Sequence, residues 1–402
     1  MIFVGVDWAE VHHDVTVLDQ EGSVLGRLRI PDTIDGVRRV HALVAEYVDD
    51  PQQVVVGVET PTGLVIQALV ATGYELYAIN PKAASHYRER HGVSGAKSDA
   101  GDSKMLADLV RTDRHNHRRH LGDSDLAAAV TVLARSHKEL IWQRQRQLNQ
   151  LRSALRLYYP AILTAFDDLG AADALLLLQR APTPAEGREL SLAKLRSILQ
   201  RAGRRKLLDE RAQALQLELR RPQLEAPPLV ARAHGRSVRA LVTLIQAATE
   251  QIAALEADLV ESFEAHPDAE IIRSLPGLGA ILGARVLAEF GDQPTRFADA
   301  KSRKNYAGTS PITKASGTKR VVLARFARNA WLGDACDRWA FSSLTRSPGA
   351  RAYYDALRGR GQSHHAALRM LANRWVGILH GCLRHRQRYV EETAWTAREV
   401  AA

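Results

Sequence analysis

Four carboxylates carry the most chemistry in this chain of 402 residues. Asp99 and Asp102 stand three apart at the mouth of an amphipathic run, Met105, Leu106, Leu109 and Val110. On a helix, positions i and i+3 share a face, so both side chains project the same way. Asp7 closes the apolar run Ile2 to Val6, and Glu59 closes Gln53 to Val58. Taken singly, each acid reads equally well as a helix cap or a strand end. Taken together in a basic chain, four crowded carboxylates repel unless divalent cations neutralise them. Hard oxygen ligands of this kind suit Mg²⁺ or Mn²⁺. Two such ions clamp the attacking and leaving oxygens of phosphoryl transfer.

The elements that must position these acids follow from local periodicity. Ile2 to Val6 is short and continuously apolar, as in a buried strand. Asp14 to Asp19 alternates, Gln20 to Ser23 is a turn, and Val24 to Ile30 alternates again, which predicts a hairpin beside the first strand. Thr33 to Val48 has helical spacing, Gln53 to Val58 is a second buried strand, and Val65 to Ala71 is helical. A strand over Tyr74 to Ile79 and a helix toward Arg90 complete the order β-β-β-α-β-α-β-α. That order, with acids at the tips of the first and fourth strands, matches an α/β ribonuclease-H-like fold. Adjacent strands lie about 4.8 Å apart, so Asp7 and Glu59 can share a centre if their strands are neighbours.

Lys and Arg outnumber Asp and Glu by 55 to 45, a formal net charge of +10. A chain this basic is expected to meet a polyanion, nucleic acid by default. The two cysteines, Cys336 and Cys382, exclude a disulfide scaffold or zinc ribbon and fit a reducing cytoplasm. The chain opens directly on a strand pattern and contains no 18-residue apolar run, so neither a signal peptide nor a membrane span is expected. Ala-, Arg- and Leu-heavy usage suggests a GC-rich bacterial genome. Cytoplasmic, nucleoid-associated localisation is the corresponding expectation.

Beyond Val110, the basic segment Arg111 to His120 reads as a linker, its three histidines as a solvated or phosphate-facing charge run. Leu126 to Pro160 is one long helical pattern, with Arg144, Arg146 and Arg152 among the cations available for phosphate contacts or for a merely soluble face. Leu241, Ile245, Ala248, Ile252, Leu255 and Leu259 follow a 4-3-4-3-4 spacing, a coiled-coil seam for an intramolecular hairpin or a second copy. Leu275-Pro276-Gly277-Leu278-Gly279 is either a phosphate-approaching turn or a close helix packing device. Three domains are expected: 1–124 α/β, 125–265 all-α and coiled-coil, and 266–402 mainly α.

Gly5-Val6-Asp7-Trp8-Ala9, Val58-Glu59-Thr60-Pro61-Thr62-Gly63, Asn80-Pro81 and Lys97-Ser98-Asp99-Ala100-Gly101-Asp102 resemble the RuvC-like domain of DEDD-type insertion-sequence transposases, the IS110 family, which includes Piv-type DNA invertases. The match puts the DEDD set at Asp7, Glu59, Asp99 and Asp102. Tyr306-Ala307-Gly308-Thr309-Ser310-Pro311 and Ala315-Ser316-Gly317, with the Leu-Pro-Gly-Leu-Gly turn, resemble the family's C-terminal transposase domain. The resemblance implies that Ser316 is the nucleophile, forming a phosphoserine with DNA, with Mg²⁺ on the four acids. By residue type alone, Ser310 would serve almost as well. Lys314, Lys319 and Arg320 are the nearby cations that could stabilise a phosphorane-like transition state.

The resemblance further implies donor and target DNA as substrates, a non-coding bridge RNA as guide, and a homo-oligomer, dimer to tetramer, with a composite site. One departure stands out. Relatives commonly continue Gly-Asn-x-x-Leu-Arg, whereas this chain reads Arg328-Asn329-Ala330-Trp331-Leu332-Gly333, so the role of that basic residue falls to Arg325 or Arg328 or is not performed at all. The competing function is a RuvC-like junction resolvase with water as nucleophile, which would not need the Ser-Gly block. A binding scaffold with relic acids is a third reading. An actin-like phosphotransferase would need a Gly-rich loop after Asp7, where the chain has Trp8-Ala9-Glu10.

Overall fold

The structure, a computed structural model, describes residues 1–91, 99–325 and 328–395, and only the backbone at 91, 99 and 100. The described chain divides into two compact units: residues 1–124 with 293–298, and residues 125–292 with 299–395.

The first unit is a mixed sheet. Its strands are β1 (Ile2–Asp7), β2 (His12–Leu18), β3 (Val24–Pro31), β4 (Val54–Val58), β5 (Glu75–Ala78) and β6 (Arg118–Arg119), in the order β3-β2-β1-β4-β5-β6. β1, β4 and β5 run parallel and the other pairings are antiparallel. Side chains alternate across a sheet, and each face has its own cover. Val4, Val6, Val54, Val56 and Val58 bury against α1 (Ile34–Ala45) and α2 (Leu64–Ala71). Phe3, Leu18 and Val55 bury against α3 (Pro81–His91) and α4 (Asp99–Asp113), through Ala84, Leu106, Leu109 and Val110.

The segment Arg111 to His120 is not a linker. α4 continues to Asp113, and Arg118 and Arg119 pair with Ala78 and Tyr77 as the edge strand. Polar composition misleads there because an edge strand buries little side chain. Residues 293–298 pack on this stretch: Arg296 pairs with Asp123 at 2.7 Å, and the Arg118 guanidinium lies 5.6 Å from the centre of the buried Phe297 ring.

The second unit is almost wholly helical: α5 (Asp125–Tyr158), α6 (Ala161–Ala165), α7 (Ala172–Arg180), α8 (Pro184–Arg188), α9 (Leu192–Arg201), α10 (Leu208–Arg220), α11 (Pro228–Glu264), α12 (Ala269–Ser274), α13 (Ala280–Phe290), α14 (Ala300–Ala307), α15 (Ala330–Ser343), α16 (Pro348–Gly359), α17 (His364–His385) and α18 (Glu391–Trp395). A two-stranded hairpin, β7 (Ile312–Ser316) and β8 (Lys319–Leu323), interrupts it. α11 packs antiparallel along α5: Tyr158 stacks on His234 at 5.0 Å, while His137 faces Glu256 at 3.8 Å. Leu241, Ile245, Ile252 and Leu259 of the seam are therefore buried inside this chain.

Candidate functional site

The acid site is built by glycine. Gly5 and Gly57 are partners in the β1–β4 register. A Cβ at Gly5 would stand 1.8 Å from the Ser103 carbonyl oxygen, and one at Gly57 would stand 2.5 Å from that of Leu106. The backbone of α4 thus lies directly on the two strands, where no larger residue fits. A buried hydroxyl pair, Thr16 Oγ1 to Ser103 Oγ at 2.8 Å, ties α4 to β2. Farther along α4's course, Arg114 reaches over the Phe3 ring and the Met1 sulfur. α4 therefore begins at the edge where β1 and β4 end.

Asp7 follows Gly5 by two residues, and Glu59 follows Gly57 by two. By the pleat, Asp7 projects from the face that α4 covers, and Glu59 stands in the bend directly after β4. From Gly5 to Asp7 a strand advances about 6.6 Å. From Ser103 back to Asp99 a helix rises about 6 Å. The first turn of α4 and the two strand tips hence reach the same edge. Asp102 is 6% exposed, and its Oδ1 accepts from Arg88 Nη2 at 2.7 Å and Nε at 3.1 Å. Arg88 comes from α3, whose seat beside α4 is further held by Tyr87 donating to Asp108.

Two neighbours went unmarked in the sequence. One is Arg88 itself, which offsets the Asp102 charge. The other is Asp14, directly opposite Asp7 in the β1–β2 register and clamped by Arg29 at 2.8 and 3.2 Å. The strand alternation Asp14-Val15-Thr16 could have signalled Asp14, since Thr16 faces α4. Nothing local could have signalled Arg88.

All the acids are hard oxygen donors, the chemistry of a Mg²⁺ or Mn²⁺ site. Among the described residues, however, no group of three or more His, Cys, Asp or Glu side chains is close enough to hold a metal ion. The Asp99 side chain lies outside the described residues. Asp7, Glu59 and Asp102 share an edge without closing a ligand cage, and Asp102 is engaged with Arg88.

Ser316 lies in the second unit, on the last residue of β7, paired with Lys319 across the Gly317-Thr318 turn. Gly317 has φ +56°, the left-handed conformation that a two-residue hairpin accepts most easily from glycine. Apart from Ile312, every residue of both strands is exposed. Cross-strand partners share a face, so Lys319 and, two residues back, Lys314 lie on the face of Ser316, whereas Arg320, opposite Ala315, lies on the other. No hydrogen bond to the Ser316 hydroxyl is found among the described residues. Ser310 is half-buried just before β7.

The other sequence candidates are engaged within their unit. Arg146 bonds Glu139 at 3.0 Å, Arg152 reaches the Asp167 carbonyl at 3.3 Å, and Arg144 lies half-buried beside Gly170. At the Leu-Pro-Gly-Leu-Gly turn, Gly277 (φ +87°) would place a Cβ 2.8 Å from the Ser343 amide, and Trp339 Nε1 donates to the Pro276 carbonyl at 3.0 Å. Gly277 is thus used for close packing on α15, while Gly279 is open. Asn329 caps α15 and donates to Glu289 at 2.5 Å. Glu289 also takes both prongs of Arg135, raising the Arg135 pKa. Arg328 lies over Gly308 and Gly333, and Arg325 is half-buried. Near the start of α15, Lys138 and Arg285 converge on Asp334 at 3.2 and 2.6 Å.

Comparison with known proteins adds the following. Residues 4–160 match a transposase family model, DEDD_Tnp_IS110, and residues 269–355 match the IS116/IS110/IS902 transposase family. The chain is 44% identical over 399 residues to a Streptomyces coelicolor protein named as the mini-circle transposase for IS117, covering 98% of this chain and 96% of that one. It is 30% identical to an uncharacterised protein of insertion element IS116 from Streptomyces clavuligerus, covering 96% and 95% of the two chains. It is 28% identical to an uncharacterised protein of insertion element IS900 from Mycobacterium paratuberculosis, covering 98% and 99%.

Proposed function

This chain belongs to the IS110 family of insertion-sequence transposases, and on that premise we propose that it cuts and rejoins DNA through a phosphoserine on Ser316. We read its sheet, ordered β3-β2-β1-β4-β5, as ribonuclease-H-like, with Asp7, Glu59, Asp99 and Asp102 as the residues that would hold Mg²⁺. The observation that carries this reading is the placement of Asp7 and Glu59 at the ends of neighbouring strands, next to the Gly5–Gly57 pair that seats the helix of Asp99 and Asp102. Bound there, divalent cations supply neutralisation of charge on the phosphodiester oxygens.

The protein's own groups do the rest. The Ser316 Oγ attacks phosphorus, a P–Oγ bond forms, and one DNA strand end leaves as a hydroxyl. Attack by a second strand end on the phosphoserine restores a phosphodiester and frees the serine, so no energy source is needed. Lys314 and Lys319, on the serine's own face, offset the charge on the non-bridging oxygens. A hydroxyl at neutral pH is a weak nucleophile, so the hairpin must meet a proton acceptor at the DNA. We assign that role to the acid site, assembled across subunits of an oligomer, with a bridge RNA choosing donor and target by base pairing.

The exposure of Ser316 and the lack of a described base beside it favour, as a second reading, a metal-dependent resolvase in which water attacks. One experiment separates the two. Protein co-expressed with its flanking non-coding DNA is mixed with element-end and target duplexes and Mg²⁺, then run on a denaturing gel. The recombinase reading expects a covalent protein–DNA band that vanishes in Ser316→Ala and in Asp102→Ala. Cleavage without adduct, unchanged by Ser316→Ala, establishes the resolvase instead.

A further inference from the structure

In the second unit, α14, α17, α18 and the segment 387–390 line an open cavity of about 720 Å³. Four basic side chains line it, Lys304, Arg374, His385 and Arg388, and among the described residues no acidic side chain does. Arg388 is paired with Glu270. Lys304 and Arg374 have no carboxylate partner among the described residues. The Lys304 amine lies against the backbone of α17, where a Cβ at Gly377 would stand 2.9 Å from Nζ. Burial and the neighbouring Arg374 guanidinium push the Lys304 pKa below its ordinary value. Arg374 is fixed rather than free: its guanidinium carbon lies 4.5 Å from the Trp395 ring centre and 5.5 Å from that of Tyr353, and Nη2 donates to the Ala394 carbonyl at 2.9 Å. One turn along α17 from Gly377, Gly381 leaves the floor open: among the described residues nothing beyond the helix's own adjoining backbone lies within 4 Å of where its Cβ would be.

Two half-buried cations lining one cavity, with no carboxylate partner among the described residues, are poised for an anion. A phosphate brings two or more acceptor oxygens and a charge that both cations lack. We propose that this cavity binds a backbone phosphate of a nucleic acid, held by Lys304 and Arg374 and admitted by the missing side chain at Gly381. DNA and RNA share this chemistry. The inference rests on the reading that the chain handles nucleic acid, but it requires no catalysis.

The test is equilibrium binding of the full chain to a labelled DNA duplex and, separately, to a single-stranded RNA of equal phosphate number, across a salt series. Lys304→Gln removes one phosphate contact and should lower the slope of log K against log salt by about one. Gly381→Met keeps every charge, suits a helix better than glycine and projects a long side chain into the cavity, and should lower the slope likewise. Thermal melting checks that each variant folds; if Lys304→Gln does not, Gly381→Met decides. A loss with DNA only or RNA only identifies which backbone enters, and a loss with both supports a shared site. Wild-type slopes in Gly381→Met for both nucleic acids overturn the proposal alone. A wild-type chain that binds neither overturns it together with the recombinase reading.

Discussion

A Cβ added at Gly5 would stand 1.8 Å from a backbone oxygen, whereas one added at Gly317 would meet nothing within 4 Å among the described residues beyond its chain neighbours. The two candidate reacting regions differ in that way throughout. The acids sit where strands and a helix are pressed together, joined by a buried hydroxyl pair and, at Asp102, by a guanidinium. The serine sits on an isolated, exposed hairpin, an arrangement that is marginally stable by itself in water. Packing preorganises the first region, whereas the second has almost no packing to hold it. On the proposed recombinase reading, groups that fix charge need rigid placement, while a nucleophile that attacks one strand end and later releases it would gain from mobility.

Substitutions can break or sharpen this contrast. The largest effect is expected from Gly5→Ala. It drives a methyl into α4 and should cost about 3 kcal/mol or more in urea denaturation, with Mg²⁺-dependent cleavage lost as Asp102 shifts. A cost below about 1 kcal/mol would mean that α4 is not seated as described. Next comes Ser103→Ala, which strands the buried Thr16 hydroxyl and should cost about 1–2 kcal/mol. Adding Thr16→Val to it should recover most of that loss, because the orphaned hydroxyl is gone; failure to recover would show that the pair is not coupled. Gly317→Ala meets no atom but forces a left-handed alanine, so about 1 kcal/mol of local strain is expected, with global stability nearly unchanged and slower adduct formation. A full-sized loss of global stability there would contradict the hairpin's independence.

The smallest effect is on pH. In the sheet unit, burial holds the His41 pKa below 6.5, and burial with the Arg296 charge does the same for His120. The unfolded chain therefore binds more protons near pH 6, so this contribution is complete above about pH 6.5 and is lost as pH falls through the folded values. The melting temperature should drop on acidification, less steeply in His41→Gln. No such slope belongs to the hairpin, which carries no histidine.

Local pattern made much of this molecule legible. Continuous apolar runs marked β1 and β4, alternation marked the β2–β3 hairpin, and unbroken helical spacing marked α5 and α11, because periodicity reflects which neighbours a side chain meets within its own element. The same reasoning placed Asp7 and Glu59 at strand ends and Asp99 and Asp102 on one helix, and the quoted motifs identified the family. Other features depended on residues far apart in the chain. No local pattern tells that Gly5 must admit a helix lying 98 residues later, that Arg88 turns to Asp102, or that Arg118 and Arg119 complete the sheet rather than bridge domains. Nor does it tell that Lys319 shares a face with Ser316 while Arg320 does not, since one residue of register reverses that assignment. Composition and periodicity determined the elements and their chemical endowment. Which backbones come into contact, and hence which charges are offset and which stay open to a ligand, was decided only when those elements packed, since close contact depends on the shapes of both partners at once.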